Sequence, residues 1–171
     1  RYLEHRGIDY LAVAYTDEGV LLRQKGIQKP ILVMNTGNAD FDELLSNRLE
    51  PEIFSIEQLK RFVKETEQYK QCIIHLKLET GMNRLGFQVK DVDELISIIS
   101  SHSYIKVGSI FSHLSGSSST EWDDFTKIQY KSFKSFAKKI TNAIGYFPLL
   151  HILNSSGISR HADMQLDMVR L

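Results

Sequence analysis

Lys77 precedes, and Arg84 lies within, the segment Thr80-Gly81-Met82-Asn83-Arg84-Leu85-Gly86, a glycine-rich turn that carries charge straight off the end of an apolar run. In Cys72 to Leu78 the side chains of Cys72, Ile74, Leu76 and Leu78 share one strand face, and Ile73, His75, Lys77 and Glu79 share the other. One face asks for apolar packing and the other for polar partners. Three further extended runs end in groups that can do chemistry: His113 through Ser115, Asn154 with Ser155, and Arg170. Two arginines and a lysine gathered at one mouth repel one another unless an anionic ligand or a carboxylate stands between them. The set therefore implies an acidic partner: a phosphate, a carboxylate or an electron-rich cofactor oxygen. Each residue also has a plain structural use, such as a hydrogen-bonded histidine at a strand end, an arginine anchoring its own turn, or Asn154 and Ser155 capping a short helix.

The elements that must position these groups follow a β/α rhythm. Extended apolar runs recur at Asp9 to Tyr15, Pro30 to Asn35, Glu50 to Phe54, Cys72 to Leu78, Ile105 to Leu114, Leu149 to Asn154 and Leu166 to Arg170, with helix-period segments between most of them. Ser55 with Gln58, Asp91 with Glu94, and Thr120 with Asp123 mark helix starts. Trp122, Phe125, Phe133, Phe136, Ile140 and Ile144 form the apolar stripe of a long one-sided helix, read as core. Near-continuous apolar strands separated by helices predict a parallel sheet. Seven such strands, none followed by a G-x-G-x-x-G or Walker-type loop, favour an incomplete α/β TIM-type (β/α)8 barrel over a doubly wound nucleotide-binding sheet. The whole of 1–171 reads as one barrel domain with one strand outside it, and Ser115 to Thr120 reads as a flexible loop at the active-site end. Arg1 to His5 reads as the tail of a helix.

Composition narrows the function classes. The chain has 171 residues, 42% of them hydrophobic, and 21 basic side chains balance 21 acidic ones, so no global field recruits nucleic acid or an anionic membrane. Cys72 is the only cysteine, which excludes an internal disulfide framework and a cysteine-based zinc site and suits a reducing cytoplasm. No apolar run of about eighteen residues predicts a membrane span, no charged-then-apolar leader opens the chain, and no metal site is expected.

The T-G-M-x-R-x-G turn, Phe111-Ser112-His113, His151-Ile152-Leu153-Asn154-Ser155 and Asp167-Met168-Val169-Arg170 resemble, in order and spacing, the barrel domain of alanine racemase, a fold-type III pyridoxal 5′-phosphate enzyme. Asp9 to Ala14, Glu18, Leu22-Arg23, Gly26-Ile27 and Pro30 to Val33 extend the resemblance over essentially the whole chain. It implies a cytoplasmic, homodimeric isomerase that interconverts L- and D-alanine for peptidoglycan synthesis. It also implies roles. Arg84 is similar to the arginine that hydrogen-bonds the cofactor's phenolic oxygen, and Lys77 to the lysine, often carbamylated, that braces it. An unmodified Lys77 paired with Glu79 or a bound anion is the competing account. Arg170 resembles the arginine facing the pyridine nitrogen, where a cation that keeps its proton leaves that nitrogen unprotonated. His113 resembles the histidine beneath the ring, Ser155 the phosphate-binding serine, and Asn154 the residue shaping that loop.

The same resemblance implies what these residues do not supply. The family's Schiff-base lysine lies in a Lys-Ala-x-Ala-Tyr-Gly-type stretch on the first barrel strand, and its tyrosine base comes from the partner subunit's C-terminal β-domain; neither motif occurs here. Racemisation needs a base on each face of the α-carbon. No catalytic residue is expected within 1–171, and the chain is expected to be inactive alone. The wording at Phe111 to Leu114 and Asp123 to Phe125 resembles racemases fused behind a cell-wall peptide ligase, which leaves such a fusion open. Alternative readings are a related pyridoxal-phosphate D-amino-acid aldolase or dehydratase, or a non-catalytic cofactor-binding or interaction module.

Overall fold

The computed structural model describes residues 2–171. Its elements alternate. Helix α1 (Tyr2–His5) precedes β1 (Leu11–Val13), α2 (Thr16–Gln24), β2 (Ile31–Val33), α3 (Phe41–Ser46), β3 (Glu50–Ile53) and α4 (Ile56–Thr66). Then come β4 (Cys72–Lys77), α5 (Val92–Ser101), β5 (Ile105–Phe111), α6 (Asp123–Ile144), β6 (Leu149–His151) and α7 (Ser155–Arg160). All six strands are parallel and lie in sequence order β1-β2-β3-β4-β5-β6, a curled part of a (β/α)8 barrel with helices on its outer side. The short α1 agrees with the helix tail read at this end; Arg1 lies outside the described residues.

Helix starts match their capping signals with small offsets. The Ser55 hydroxyl accepts from the Gln58 amide at 3.2 Å and α4 begins there. Asp91 instead reaches back to the Gln88 amide at 2.8 Å, so a 3₁₀ turn over Val89–Asp91 precedes α5. Ser119, not Thr120, caps the turn that leads into α6. Phe133, Phe136 and Ile140 are buried as the α6 stripe requires, but Trp122 is 52% exposed, so the stripe does not extend to it. Thr126 and Gln129 occupy the buried positions of that first stretch; Gln129 is there because the backbone of the loop beneath it needs hydrogen-bond partners, its Oε1 accepting from Ser115 N at 3.1 Å and its Nε2 donating to His113 O at 3.3 Å.

Two expectations are corrected. Leu166 to Arg170 is not a strand: the amides of Asp167 and Met168 both donate to the Leu150 carbonyl, and the Leu150 amide is taken by the Asp167 carboxylate at 2.8 Å. A side chain has replaced the backbone donor that a regular ladder would repeat. The segment still runs beside β6, since Arg170 N donates to Leu153 O at 3.1 Å. Nor is Ser115 to Thr120 a free loop. Ser117 is buried with its hydroxyl on Asn154 Oδ1 at 2.8 Å, and the Arg160 guanidinium clamps Ser117 O and the Asp123 carboxylate, each at 2.7 Å.

The main apolar core lies between β3 to β6 and helices α4 to α6, built on Phe62, Ile74, Leu76, Leu95, Val107 and Phe133; Ile31, Val33, Leu44 and Leu49 form a smaller one. The opposite sheet face is polar. Glu50 Oε2 accepts from Tyr10 OH at 3.0 Å and contacts His75 Nε2 at 2.8 Å. His75 Nδ1 meets Ser109 Oγ at 2.7 Å, and Ser109 Oγ meets His151 Nε2 at 3.2 Å. This chain of hydrogen bonds ties β3, β4, β5 and β6 together inside the curl, where polar groups must be satisfied because water is excluded.

Candidate functional site

Lys77 at the end of β4 is in register with Phe111 at the end of β5, and Phe111 with His151 at the end of β6. Parallel strands end on one side, so the residues that follow them, Ser112, His113, Asn154 and Ser155, gather at one mouth. The Phe111 ring stacks on His151 with centroids 4.8 Å apart and planes within 6°.

The turn after Lys77 is pinched shut at its base. Phe87 N donates to Lys77 O and Glu79 N to Phe87 O, both at 2.9 Å, while the Phe87 ring is fully buried. Within the loop, the Glu79 carboxylate accepts from the amides of Gly81 and Arg84. Gly81 and Gly86 have φ of +134° and +143°, values that exclude ordinary side chains. The spacing of glycines is therefore a backbone requirement, and its product is a fixed place for Arg84. Ser112 Oγ donates to Leu78 O and accepts from Thr80 Oγ1, each at 2.7 Å, which welds the end of β5 to this turn. The Arg84 guanidinium is exposed and makes no hydrogen bond among the described residues; with Phe54, Ser55, Glu79 and Gln88 it lines a cleft of about 350 Å³.

Lys77 has a partner that sequence reading missed. Its Nζ lies 3.1 Å from Oε1 of Glu52 on β3, and the two residues are 6% and 0% exposed. Glu79, the partner considered above, is turned to its own loop's amides. The signal for Glu52 was present: Glu50 and Glu52 stand two apart on an extended run, which puts two carboxylates on one sheet face. Glu52 Oε2 is buried without a hydrogen-bond partner among the described residues.

Arg170 Nη2 lies 2.8 Å from His113 Nδ1. A guanidinium can only donate, so Nδ1 accepts and the His113 proton sits on Nε2. Burial, then the charges of Arg170, Arg84 and Lys77, push His113 down to about 4. Burial, His75 and Arg170 push His151 down to about 3. Burial holds the Glu52 carboxyl up at about 7 against the pull of Lys77, Arg170 and Arg84. The same three cations thus act on both Glu52 and His113, as expected of groups that share one mouth. Asn154 serves structure: its Oδ1 accepts from Gly157 N at 2.9 Å, capping α7, and its Nδ2 donates to Leu114 O at 3.0 Å. Ser155, the first residue of α7, is exposed, and its hydroxyl has no partner among the described residues.

Residues 1–171 match the family profile described as alanine racemase, N-terminal domain. The chain belongs to the alanine racemase family. It is 31% identical to alanine racemase 1 of Caldanaerobacter subterraneus subsp. tengcongensis, over 99% of this chain and 44% of that protein. It is 34% identical to the alanine racemase of Treponema denticola, over 96% of this chain and 44% of that one. The solved alanine racemase of Clostridium difficile 630 superposes with a TM-score of 0.89 at 31% identity, covering 99% of this chain and 44% of the other. The fold is also that of the Corynebacterium glutamicum enzyme, with a TM-score of 0.87 at 23% identity. This racemase-family chain spans a little under half the length of the relatives it matches.

The buried imidazoles set a pH dependence for folding of this racemase domain. Unfolded histidines take up protons near 6.5, but His113 and His151 resist until about 4 and 3, so on acidification the unfolded chain binds protons first and stability falls. Glu52 opposes them by one proton between 4.5 and about 7, where the folded chain is the better proton binder. His113, which is only partly buried, gives less than its full share. The net expectation is a loss approaching about 1.4 kcal/mol per pH unit from pH 6.5 to 4.5, read from urea midpoints. Midpoints that rise on acidification would contradict neutral buried imidazoles.

Proposed function

We propose that this chain is the barrel part of an alanine racemase that uses pyridoxal 5′-phosphate to interconvert L- and D-alanine for peptidoglycan synthesis, as a cytoplasmic homodimer. What supports the reading is one juxtaposition in a chain of this family: Lys77, Arg84 and Arg170 act on one mouth where Glu52 is the buried carboxylate among them. That mouth has an excess of positive charge, which fits a cofactor bearing a phosphate and an anionic ring oxygen.

In this reading Arg84 holds the phenolic oxygen, a task suited to its unpartnered, always-charged guanidinium. Lys77 braces the strand end from which the Arg84 turn departs. Ser155 offers its free hydroxyl to the phosphate, and Asn154 fixes the start of α7 so that this hydroxyl is in place. Arg170 faces the ring nitrogen with His113 behind it; because His113 accepts from Arg170, it orients the guanidinium without competing for its charge. Bound pyridoxal phosphate supplies the electron sink that makes the α-proton of alanine removable. No acid or base for that proton is assigned to this chain, and its tyrosines are left without a catalytic role.

The test is exchange of the alanine α-proton for deuterium by the full-length protein with pyridoxal phosphate, with both enantiomers formed. Absence of exchange in the cofactor-loaded protein would overturn the reading. The roles have their own test in Arg170→Glu. A carboxylate facing the ring nitrogen should favour its protonated form, increasing transamination to pyruvate about tenfold or more relative to racemisation, a shift of about 1.4 kcal/mol between the two outcomes. In the same variant, loss of the adjoining cation should raise the His113 titration above 4, seen by imidazole NMR. An unchanged product ratio would remove Arg170 from the ring nitrogen.

A further inference from the structure

Lys77 can carry either charge. As an ammonium it is a cation; after its free amine adds to carbon dioxide, with a new N–C bond and one proton released to solvent, it is a carbamate anion. The family resemblance points to the carbamate, but the surroundings of Lys77 in this chain point elsewhere. We infer that Glu52 takes the place of the carbamate: it supplies the buried negative charge at this strand end and keeps Lys77 as an unmodified ammonium. The state of Lys77 is independent of the proposed function.

The geometry carries the inference. Nζ of Lys77 already meets Glu52 Oε1 at 3.1 Å, with Glu52 fully buried and Lys77 nearly so. A carbamate on Nζ would replace this ion pair with two anions face to face in a dry site, where like charges repel most strongly. Protonating Glu52 would relieve that repulsion. The mildly alkaline, bicarbonate-rich conditions under which lysine carbamates form are, however, those in which a carboxyl ionises. Glu52 has no easy way to retreat. Its backbone carbonyl is held by the Thr36 hydroxyl and by Gln58 Nε2, and its β3 position is locked by register with His75 on β4. The other face of Lys77 is closed by the Phe111 ring, whose centroid lies 5.9 Å from Nζ. One carboxylate, held rigidly on the neighbouring strand, thus does permanently what carbon dioxide would do reversibly.

The experiment needs neither cofactor nor turnover, so its failure is separate from failure of the racemase reading. The full-length protein is equilibrated with ¹³C-bicarbonate at pH 8 and a protein carbamate carbon is sought by ¹³C NMR. The wild type is expected to show none at Lys77. Glu52→Gln, which keeps the shape and removes the charge, is expected to gain a carbamate signal that is lost again in Glu52→Gln with Lys77→Arg, since arginine forms no carbamate. Glu52→Asp keeps a carboxylate and is expected to stay unmodified, which serves if the amide variant folds poorly. A carbamate at Lys77 in the wild type overturns the inference. So does its absence from a folded Glu52→Gln protein, because Glu52 would then not be what excludes it.

Discussion

Gly86→Ala is expected to cost this chain about 3–5 kcal/mol of folding stability, whereas Gly145→Ala should cost about 1 kcal/mol. Both glycines have positive φ, +143° and +78°, so both substitutions carry backbone strain. They differ in space. A Cβ at Gly86 would lie 2.5 Å from Glu79 N and 2.6 Å from Leu78 C, backbone atoms that cannot rotate away, while one at Gly145 meets nothing within 4 Å. Room at Gly86 can be made only by opening the pinch between Glu79, Phe87 and Lys77, which also displaces the loop that places Arg84. Urea midpoints give the comparison directly. Equal losses at the two positions would show that the close approach at Gly86 is not a constraint.

The second large effect concerns the ion pair beneath that loop. Lys77→Met leaves Glu52 buried without its cation, and breaking one partner of such a pair costs about 3–5 kcal/mol. The penalty should be smaller at pH 5.5 than at pH 8.5, because Glu52 titrates near 7 in the fold and is already neutral at the lower pH. Adding Glu52→Gln should return most of the loss, since no uncompensated charge then stays buried. Denaturation of the two single variants and the double variant at both pH values closes the cycle. Additive losses would mean that the pair is not coupled.

Much of this was legible in one dimension. The β/α rhythm fixes the fold class because an apolar run between amphipathic helices has few ways to be buried. The T-G-M-x-R-x-G turn announced itself because glycine is the residue that tolerates the φ values adopted by Gly81 and Gly86. Leu166 to Arg170 misled because apolar periodicity cannot reveal that an Asp167 carboxylate would take the donor of Leu150. Trp122 misled likewise: helical spacing continued the stripe past the point where Gln129 was needed to hydrogen-bond the backbone of Ser115 and His113.

Local residue types and spacing, then, determined the barrel class and the candidates Lys77, Arg84, His113, Asn154, Ser155 and Arg170, because these follow from the pattern of the chain itself. Tertiary structure alone decided their partners. Glu52 meets Lys77 across 25 residues and Arg170 meets His113 across 57, distances over which no sequence period carries information. Charge in a buried site is set by those neighbours and by loss of water, and both arise only when the strands are brought side by side.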